Sequence, residues 1–505
     1  MDNKVSAYIN QFGITENARE FLNAAQKMYI NGEFVYAEGN EVNEVFEPAT
    51  GGFLTHIPAA SENDIDSAIT AAKDAFKTGE WSQTTPADRE RILNKLANLV
   101  EEHAQTIGEI ETIDSGKAIS GCLAVDVAGT IDLLRYMAGW ATKIEGATRP
   151  VSIPGQHFAY TLKEPVGVVA AIVPWNWPFS MAMWKIAAPL AVGCSIVLKP
   201  SEQTSLSMLY FAKLCTEAGL PPGALNIVTG KGRKIGQKLT THPGVNKVSF
   251  TGSTPVGKQV GQAAISNLAH VTLELGGKSA MIVFDDANVD EVVEATQNSI
   301  FFNTGQVCSA GSRLYAQKGI YEKVVRAIAK RAGEMKIGPG LDPETEMGPV
   351  INDVQYKSVS DYISLGASEG ANVLQASSEQ AVPAGNYIPP TILRDTNNSM
   401  RVVQEEIFGP VLVVQSFETE QEGIELANDN EFGLAGSIWT KDLSRALRLV
   451  PQLEAGTVWV NTHDLLDVCI PFGGVKNSGI GKDQGKEQLE YFLETKAVWI
   501  KIDEA

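Results

Sequence analysis

Cysteine is scarce in this sequence: five in 505 residues, at positions 122, 194, 215, 308 and 469. An odd number, widely spaced and without a CxxC pair, argues against a disulfide framework and a structural zinc site, and points to a reducing, cytoplasmic compartment. Positive charge is short too, with 41 Lys and Arg against 60 Asp and Glu, a net charge of −19. That balance disfavours nucleic acid and anionic membrane as partners, because both reward basic patches. No apolar run is long enough to span a bilayer; the longest, around VGVVAAIVP, is broken by Gly and Pro. The N-terminal MDNKVSAYINQFGITENARE lacks the apolar core of a secretory signal. The six histidines form no recognisable Cys/His signature, which weakens a cysteine-hydrolase reading. Internal repeats and low-complexity linkers are also missing.

What is present is alternation. VGVVAAIV (166–173), CSIVLK (194–199), ALNIVTG (224–230) and KVSFTG (247–252) are short β-branched runs ending in Gly or Pro. Helical stretches such as SLSMLYFAKLCTEAG separate several of them, so a parallel sheet covered on both faces is expected. A second alternating region runs from SAMIVF (279–284) through SRLYAQ, GPVLVVQSF, GSIWT and GTVWVN. TTPADRERILNKLANLVEEHAQ predicts a helix with Thr85 as N-cap, Pro86 at its first position, and Leu93, Leu96, Leu99 and Val100 on one face. The terminal strand ETKAVWIKI has no later element to pair with, so another sheet or another subunit is expected to receive it.

Three segments at successive strand ends carry phosphate or ribose chemistry. TGKGRKIG places Gly230, Gly232 and Gly236 at a helix start, one residue longer than the dinucleotide fingerprint. FTGSTPVG closes a strand and opens a helix, with Gly252 and Ser253 where backbone N–H groups meet a phosphate. KPSEQT puts Lys199 and Glu202 at a strand's C-terminal end, where open α/β sheets bind ligands. Taken alone, Glu202 is equally well a capping acid and the glycines an ordinary turn.

FFNTGQVCSAGSR (301–313) sets Cys308 among small and polar residues. A free cysteine is often a small buried hydrophobe, and by itself this one reads so. LELGGK (273–278) places Glu274 between two leucines; it is either a buried ion-pair partner or a carboxylate whose pKa has risen into general-base range. PWNWPFSMAMWK (174–185) fixes Asn176 between two tryptophans, as a satisfied core amide or as a donor aimed at an oxyanion.

In chain order PWNWP, KPSEQT, FTGSTPVG, LELGGK, FFNTGQVCSAGSR, EEIFGP and PFGGVKNSGIG resemble the aldehyde dehydrogenase superfamily, from INGEF near residue 30 to the terminal strand. The resemblance implies an α/β fold with a doubly wound cofactor domain (1–145 and 165–276), an α/β catalytic domain (277–482) and a small β oligomerisation element (146–164 and 483–505). It implies Cys308 as nucleophile, Asn176 and the Cys308 N–H as oxyanion donors, Glu274 as the base that activates water, and Lys185 near the proton path. Lys199 and Glu202 would hold the adenosine ribose of NAD, Gly232 and Gly236 would lie in the glycine-rich segment beside it, Gly252 and Ser253 the pyrophosphate, and Glu406 and Phe408 the nicotinamide riboside. No metal is implied. Small neighbours of the sulfur, Gly305, Ser309 and Ala310, are expected to leave room for a substrate carbonyl and a nicotinamide.

Trp177, Met181, Trp184, Phe302, Val307, Leu465, Leu466 and Phe472 match the family's access tunnel, an apolar lining that suits an aromatic or medium-chain aldehyde. AGTVWVNTHDLLDVCIPFGG is similar to phenylacetaldehyde-oxidising members. Asp464 and Asp467 keep an aminoaldehyde or betaine aldehyde in view, and a CoA-acylating relative is the third reading, against which Glu274 stands. Asp483 departs from the family, which often carries Glu there; a proton relay or a structural pair is expected of it. A dimer or a tetramer is implied.

Overall fold

The computed structural model describes residues 1–375 and 382–502. Its first sheet has eight strands, and five of them are parallel: in space Leu225–Ile227, Ser195–Lys199, Val168–Ile172, Lys247–Thr251 and His270–Glu274. Numbered along the chain that order is third, second, first, fourth, fifth. The chain reverses direction between Val168–Ile172 and Lys247–Thr251, and the carboxyl ends flanking such a reversal are where open α/β sheets bind ligands. PWNW leaves one of those strands and TGST the other. Val168–Ile172, Ser195–Lys199 and Lys247–Thr251 are buried at every position, as a parallel sheet covered on both faces requires.

The second sheet has seven strands, in the order Asn372–Gln375, Thr391–Arg394, Val411–Phe417, Arg313–Gln317, Ala280–Val283, Ala435–Trp439 and Thr457–Val460, parallel except at its first pair. The helix that follows Val168–Ile172, Pro178–Val192, has every residue buried. Pro178 starts it at a position where the missing N–H costs nothing, and an apolar surface all round suits a helix enclosed by the protein. The helix predicted at TTPADRERILNKL spans Pro86–Glu102, with a reciprocal capping box between Thr85 and Asp88.

The terminal strand finds its partner in its own chain. Leu493–Ile502 pairs antiparallel with Gln156–Pro165 over ten residue pairs, and Thr148–Arg149 completes a three-stranded sheet. Phe158, Leu162, Trp499, Ile500 and Ile502 are exposed on it. The last three residues of the 483–505 segment, and 376–381 in the second unit, lie outside the described residues. Gly479–Ile480, placed by sequence in the 277–482 unit, pairs with Leu273 and Glu274 as the edge strand of the first sheet. The carboxylate-bearing end of His270–Glu274 is thereby enclosed by residues 473–483.

Candidate active site

Cys308 follows a strained loop. Asn303, Thr304 and Gly305 have φ of 47°, 57° and 69°, three successive left-handed residues. Such backbone suits glycine, is tolerated by asparagine and is costly for a β-branched threonine. Side chains hold it: Thr304 Oγ1 donates to Gly348 O at 2.9 Å, Asn303 Nδ2 to Asn176 O at 3.1 Å, and Gln306 Nε2 to Asn303 O at 3.0 Å. A turn over residues 307–310 then leaves Cys308 half-buried, its N–H without an acceptor among the described residues. Burial, followed by the carboxylates of Glu406, Asp464 and Glu274, pushes the thiol above its ordinary value.

Two glycines serve backbone approach. A Cβ at Gly277 would lie 2.5 Å from the Cys308 carbonyl oxygen, and one at Gly305 would strike the Gly409 carbonyl. The second glycine of LELGGK therefore admits the Cys308 turn. Gly305 is small because EEIFGP packs against it, not to make room for substrate as its sequence context suggested.

Asn176 stands just beyond Val168–Ile172 and is buried. Its Nδ2 donates to Gln306 O at 2.9 Å, which uses one of its two amide hydrogens. Glu274 ends its strand between Thr251 and Gly479. Neither carboxylate oxygen has a hydrogen-bond partner among the described residues, and the group lies against Gly473. Burial and then Asp483 raise its carboxyl well above the usual range, while Lys185 and Lys482 pull it down. Lys185 projects from Pro178–Val192 onto Asp483, and that carboxylate also accepts from Gln488 Nε2 at 2.9 Å.

A cavity of about 730 Å³ opens onto Cys308. All eight residues expected in the tunnel line it: Trp177, Met181, Trp184, Phe302, Val307, Leu465, Leu466 and Phe472. Trp177 and Phe302 lie 5.7 Å apart with their planes tilted by 31°, and Trp184 meets Phe472 edge-on at 5.5 Å. Lys117 holds Trp177 from another side, its Nζ 3.8 Å from the ring centroid, and is itself buried against Asp126 at 2.8 Å. Sequence reasoning missed part of the wall. Val125 and Gly129 come from the π-helical turn Cys122–Val127 and the helix after it, where no motif marks them. His463 is a second omission. Asp132, Glu291, Glu294 and Asp467 line the cavity as exposed acids, Asp464 lies deeper with one oxygen on Ser299, and no Lys or Arg lines it.

The residues expected to bind a cofactor fall into two groups. Lys199 Nζ lies 3.3 Å from Glu202 Oε2, which also receives the Gly232 N–H at 3.4 Å. These three form a donor–acceptor set that fits a ribose diol; Gly236 lies one turn deeper in Gly232–Thr241, facing open space. The helix Thr254–Ser266 has no side-chain cap, so Ser253 and the first N–H groups can meet an anion, whereas the Gly252 N–H, expected to do the same, is already donated to Glu274 O at 3.0 Å. On the far side of the cleft Glu406 accepts the Gly277 N–H at 3.0 Å, and burial pushes its carboxyl up to about 7. Phe408, at φ 57°, meets Trp175 edge-on at 5.3 Å. A dinucleotide laid across the reversal point fits this donor set.

The sequence profile of the aldehyde dehydrogenase family matches residues 34–498. The chain belongs to that family. It is 43% identical to a phenylacetaldehyde dehydrogenase of Pseudomonas fluorescens, over 95% of this chain and 96% of the relative. Among solved structures, an NAD+ complex of an aldehyde dehydrogenase from Bacillus cereus superposes with a TM-score of 0.95 at 44% identity, covering 97% of this chain and 99% of that one. A betaine aldehyde dehydrogenase from Staphylococcus aureus, in complex with NAD+, gives 0.93 at 38% identity, covering 97% and 98%.

Proposed function

We propose that this chain oxidises an apolar, preferably aromatic, aldehyde to its carboxylic acid with NAD, phenylacetaldehyde being the favoured substrate. One observation carries the reading: Cys308 opens into a cavity walled by five aromatic rings, Trp177, Trp184, Phe302, Trp439 and Phe472, while the Asn176 amide is tied to Gln306 two residues before the sulfur and the Glu274 carboxylate, without a hydrogen-bond partner among the described residues, is close enough to act on the thiol.

Cys308 Sγ, as thiolate, attacks the aldehyde carbon to give a thiohemiacetal whose oxygen accepts from the Cys308 N–H and the second amide hydrogen of Asn176. NAD supplies the acceptor for the hydride that leaves this carbon. The product on Cys308 is a thioester. Glu274, held at raised pKa, takes a proton from water as its oxygen adds to the thioester carbon; the acid departs and the thiolate is regenerated. Lys199, Glu202 and Gly232 take the adenosine ribose, Ser253 and the helix it opens take the pyrophosphate, and Glu406 and Phe408 orient the nicotinamide end. Glu202 favours NAD because a carboxylate accepts from both ribose hydroxyls and repels a 2′-phosphate.

The acidic mouth favours a second reading, an aminoaldehyde or betaine aldehyde whose cationic end reaches Asp464 or Asp467. Against it, Leu465 and Leu466 supply no cage for a cation. A CoA-acylating reaction is disfavoured by Glu274. The exposed apolar strip on the Leu493–Ile502 sheet supports a homo-oligomer, and the unpaired cysteines support a cytoplasmic location. The test is a substrate panel followed by NADH absorbance, with and without CoA. Faster turnover of aminobutyraldehyde than of phenylacetaldehyde overturns the substrate choice, and an acyl-CoA product overturns the hydrolytic step.

A further inference from the structure

His463 lies beside the Cys308 turn, with both ring nitrogens engaged. Nε2 is 3.1 Å from the Ser309 carbonyl oxygen, and Nδ1 is 2.8 Å from Ser437 Oγ. A carbonyl only accepts, so Nε2 carries a hydrogen, and the Asp464 carboxylate stands 3.8 Å from the same nitrogen; Nδ1 is engaged by the Ser437 hydroxyl. Ser437 Oγ in turn accepts from Trp439 Nε1 at 2.9 Å, and an indole N–H can only donate. The two ends of the chain Trp439–Ser437–His463–Ser309 are thereby fixed: Trp439 donates into it, and His463 Nε2 donates to Ser309. The ring is buried, packed on Trp459 at 4.9 Å.

The next residue repeats the attachment. Asp464 Oδ2 accepts from Ser299 Oγ at 2.5 Å, and Ser299 Oγ accepts the Gly311 N–H at 2.7 Å. Residues 463 and 464 therefore grip the chain immediately after the sulfur at two points, Ser309 C=O and Gly311 N–H. Both also line the cavity, next to Leu465 and Leu466.

We infer that His463 is a positioning residue for Cys308: its Nε2–H pins the Ser309 carbonyl and so fixes the turn that aims Sγ and the Cys308 N–H at the aldehyde. With both nitrogens committed, the ring has no lone pair for the thiol and is not a base. The assignment rests on Cys308 as the nucleophile, and misplacement of that turn by a fraction of an ångström weakens attack more than binding.

The test compares H463Q, whose terminal amide N–H restores a donor near the Nε2 position, with H463F, which keeps ring volume and loses it. Propanal is the substrate, since it is too short to reach the tunnel lip, and iodoacetamide alkylation of Cys308 in the cofactor-free enzyme is a second readout. H463F is expected to lower both kcat and the alkylation rate by roughly tenfold or more, with KM held within about threefold; H463Q should recover most of both. Equal impairment of H463Q and H463F at unchanged Tm, or a fully active H463F, overturns the inference. Should H463F fail to fold, H463N replaces it, because its shorter amide fills the Nδ1 side without reaching Ser309. Full activity in H463N overturns the inference equally. If C308A retains NADH formation, the proposed mechanism fails instead, while the alkylation rates still report on His463.

Discussion

Lys185 and Asp483 form an ion pair with both side chains buried, and the carboxyl of Glu274 feels both charges. Asp483 is fixed from the main chain as well, exchanging N–H···O bonds of 2.8 and 2.7 Å with Phe472. A buried pair of this kind holds the 472–483 loop against the central helix. It also sets the field at Glu274, with Asp483 favouring the protonated carboxyl and Lys185 the ionised one.

Removing either charge should therefore move Glu274 in opposite directions. In D483N the acidic limb of the kcat–pH profile should shift to lower pH, because a neighbouring negative charge is gone and Glu274 ionises more readily. In K185M the limb should shift to higher pH. K185M also strands Asp483 without its cation, and breaking a buried pair from one side costs about 3–5 kcal/mol; D483N should lose less, since the amide retains a hydrogen-bonding oxygen. Thermal unfolding and pH-rate profiles on the two variants check both claims. Shifts of the same sign would remove Glu274 from the base role.

Glu274→Gln isolates the second half of the reaction. Thiohemiacetal formation and hydride loss need no carboxylate at 274, so the variant should give a first-turnover burst of NADH. Steady-state turnover should fall by about 10²–10⁴, the usual contribution of a positioned general base. Intact-protein mass after reaction with phenylacetaldehyde should show the acyl group retained on Cys308. Loss of the burst together with the steady state would place Glu274 in the first step instead.

The strand ends and the capped helix were legible in the sequence, since each depends on local pattern: β-branched runs of about five and a Thr–Pro start; the residues placed along the cavity came from family resemblance. The parts that were not legible depend on contacts between distant segments. Gly305 looked like space beside a sulfur, and it is the seat of the Gly409 backbone. Gly479–Ile480 is two residues long, too short for any periodicity, and only Leu273 and Glu274 opposite make it a strand. His463 carries no Cys/His spacing because its target is a main-chain carbonyl, and any residue at 309 offers one. Asp483 was visible as a departure from the family, yet its partner Lys185 is nearly 300 positions away.

The Cys308 thiol should be sluggish in the cofactor-free enzyme. Burial and three carboxylates hold it protonated, so alkylation should climb with pH across the neutral range without reaching a plateau. Glu406 is the largest of the charged causes, and its own carboxyl ionises at about 7. E406Q should therefore accelerate alkylation above that pH, where the wild-type residue is charged, and leave the rate below it little changed. Iodoacetamide kinetics at pH 6 and pH 9 separate the two regimes. An acceleration of equal size at both would trace the effect to packing rather than charge.

Charge at the cavity mouth should sort aldehydes before they reach the sulfur. Asp132, Glu291, Glu294 and Asp467 present one sign with no Lys or Arg among the lining, and a field of one sign acts chiefly on encounter. An aldehyde bearing a carboxylate should show kcat/KM roughly tenfold or more below that of a neutral aldehyde of the same length. Added salt screens exposed charges beyond about 10 Å, so it should raise kcat/KM for the anionic substrate, lower it for a cationic one and leave phenylacetaldehyde unchanged. The double variant E291K/E294K reverses two of the exposed charges while leaving the aromatic walls in place, and should reduce the anionic penalty without altering turnover of phenylacetaldehyde. If the cationic aldehyde overtakes phenylacetaldehyde at low salt but not at high salt, the mouth is steering a substrate that the apolar tunnel does not select. If it overtakes at both, the tunnel itself accepts the cation, and the aminoaldehyde reading replaces the aromatic one.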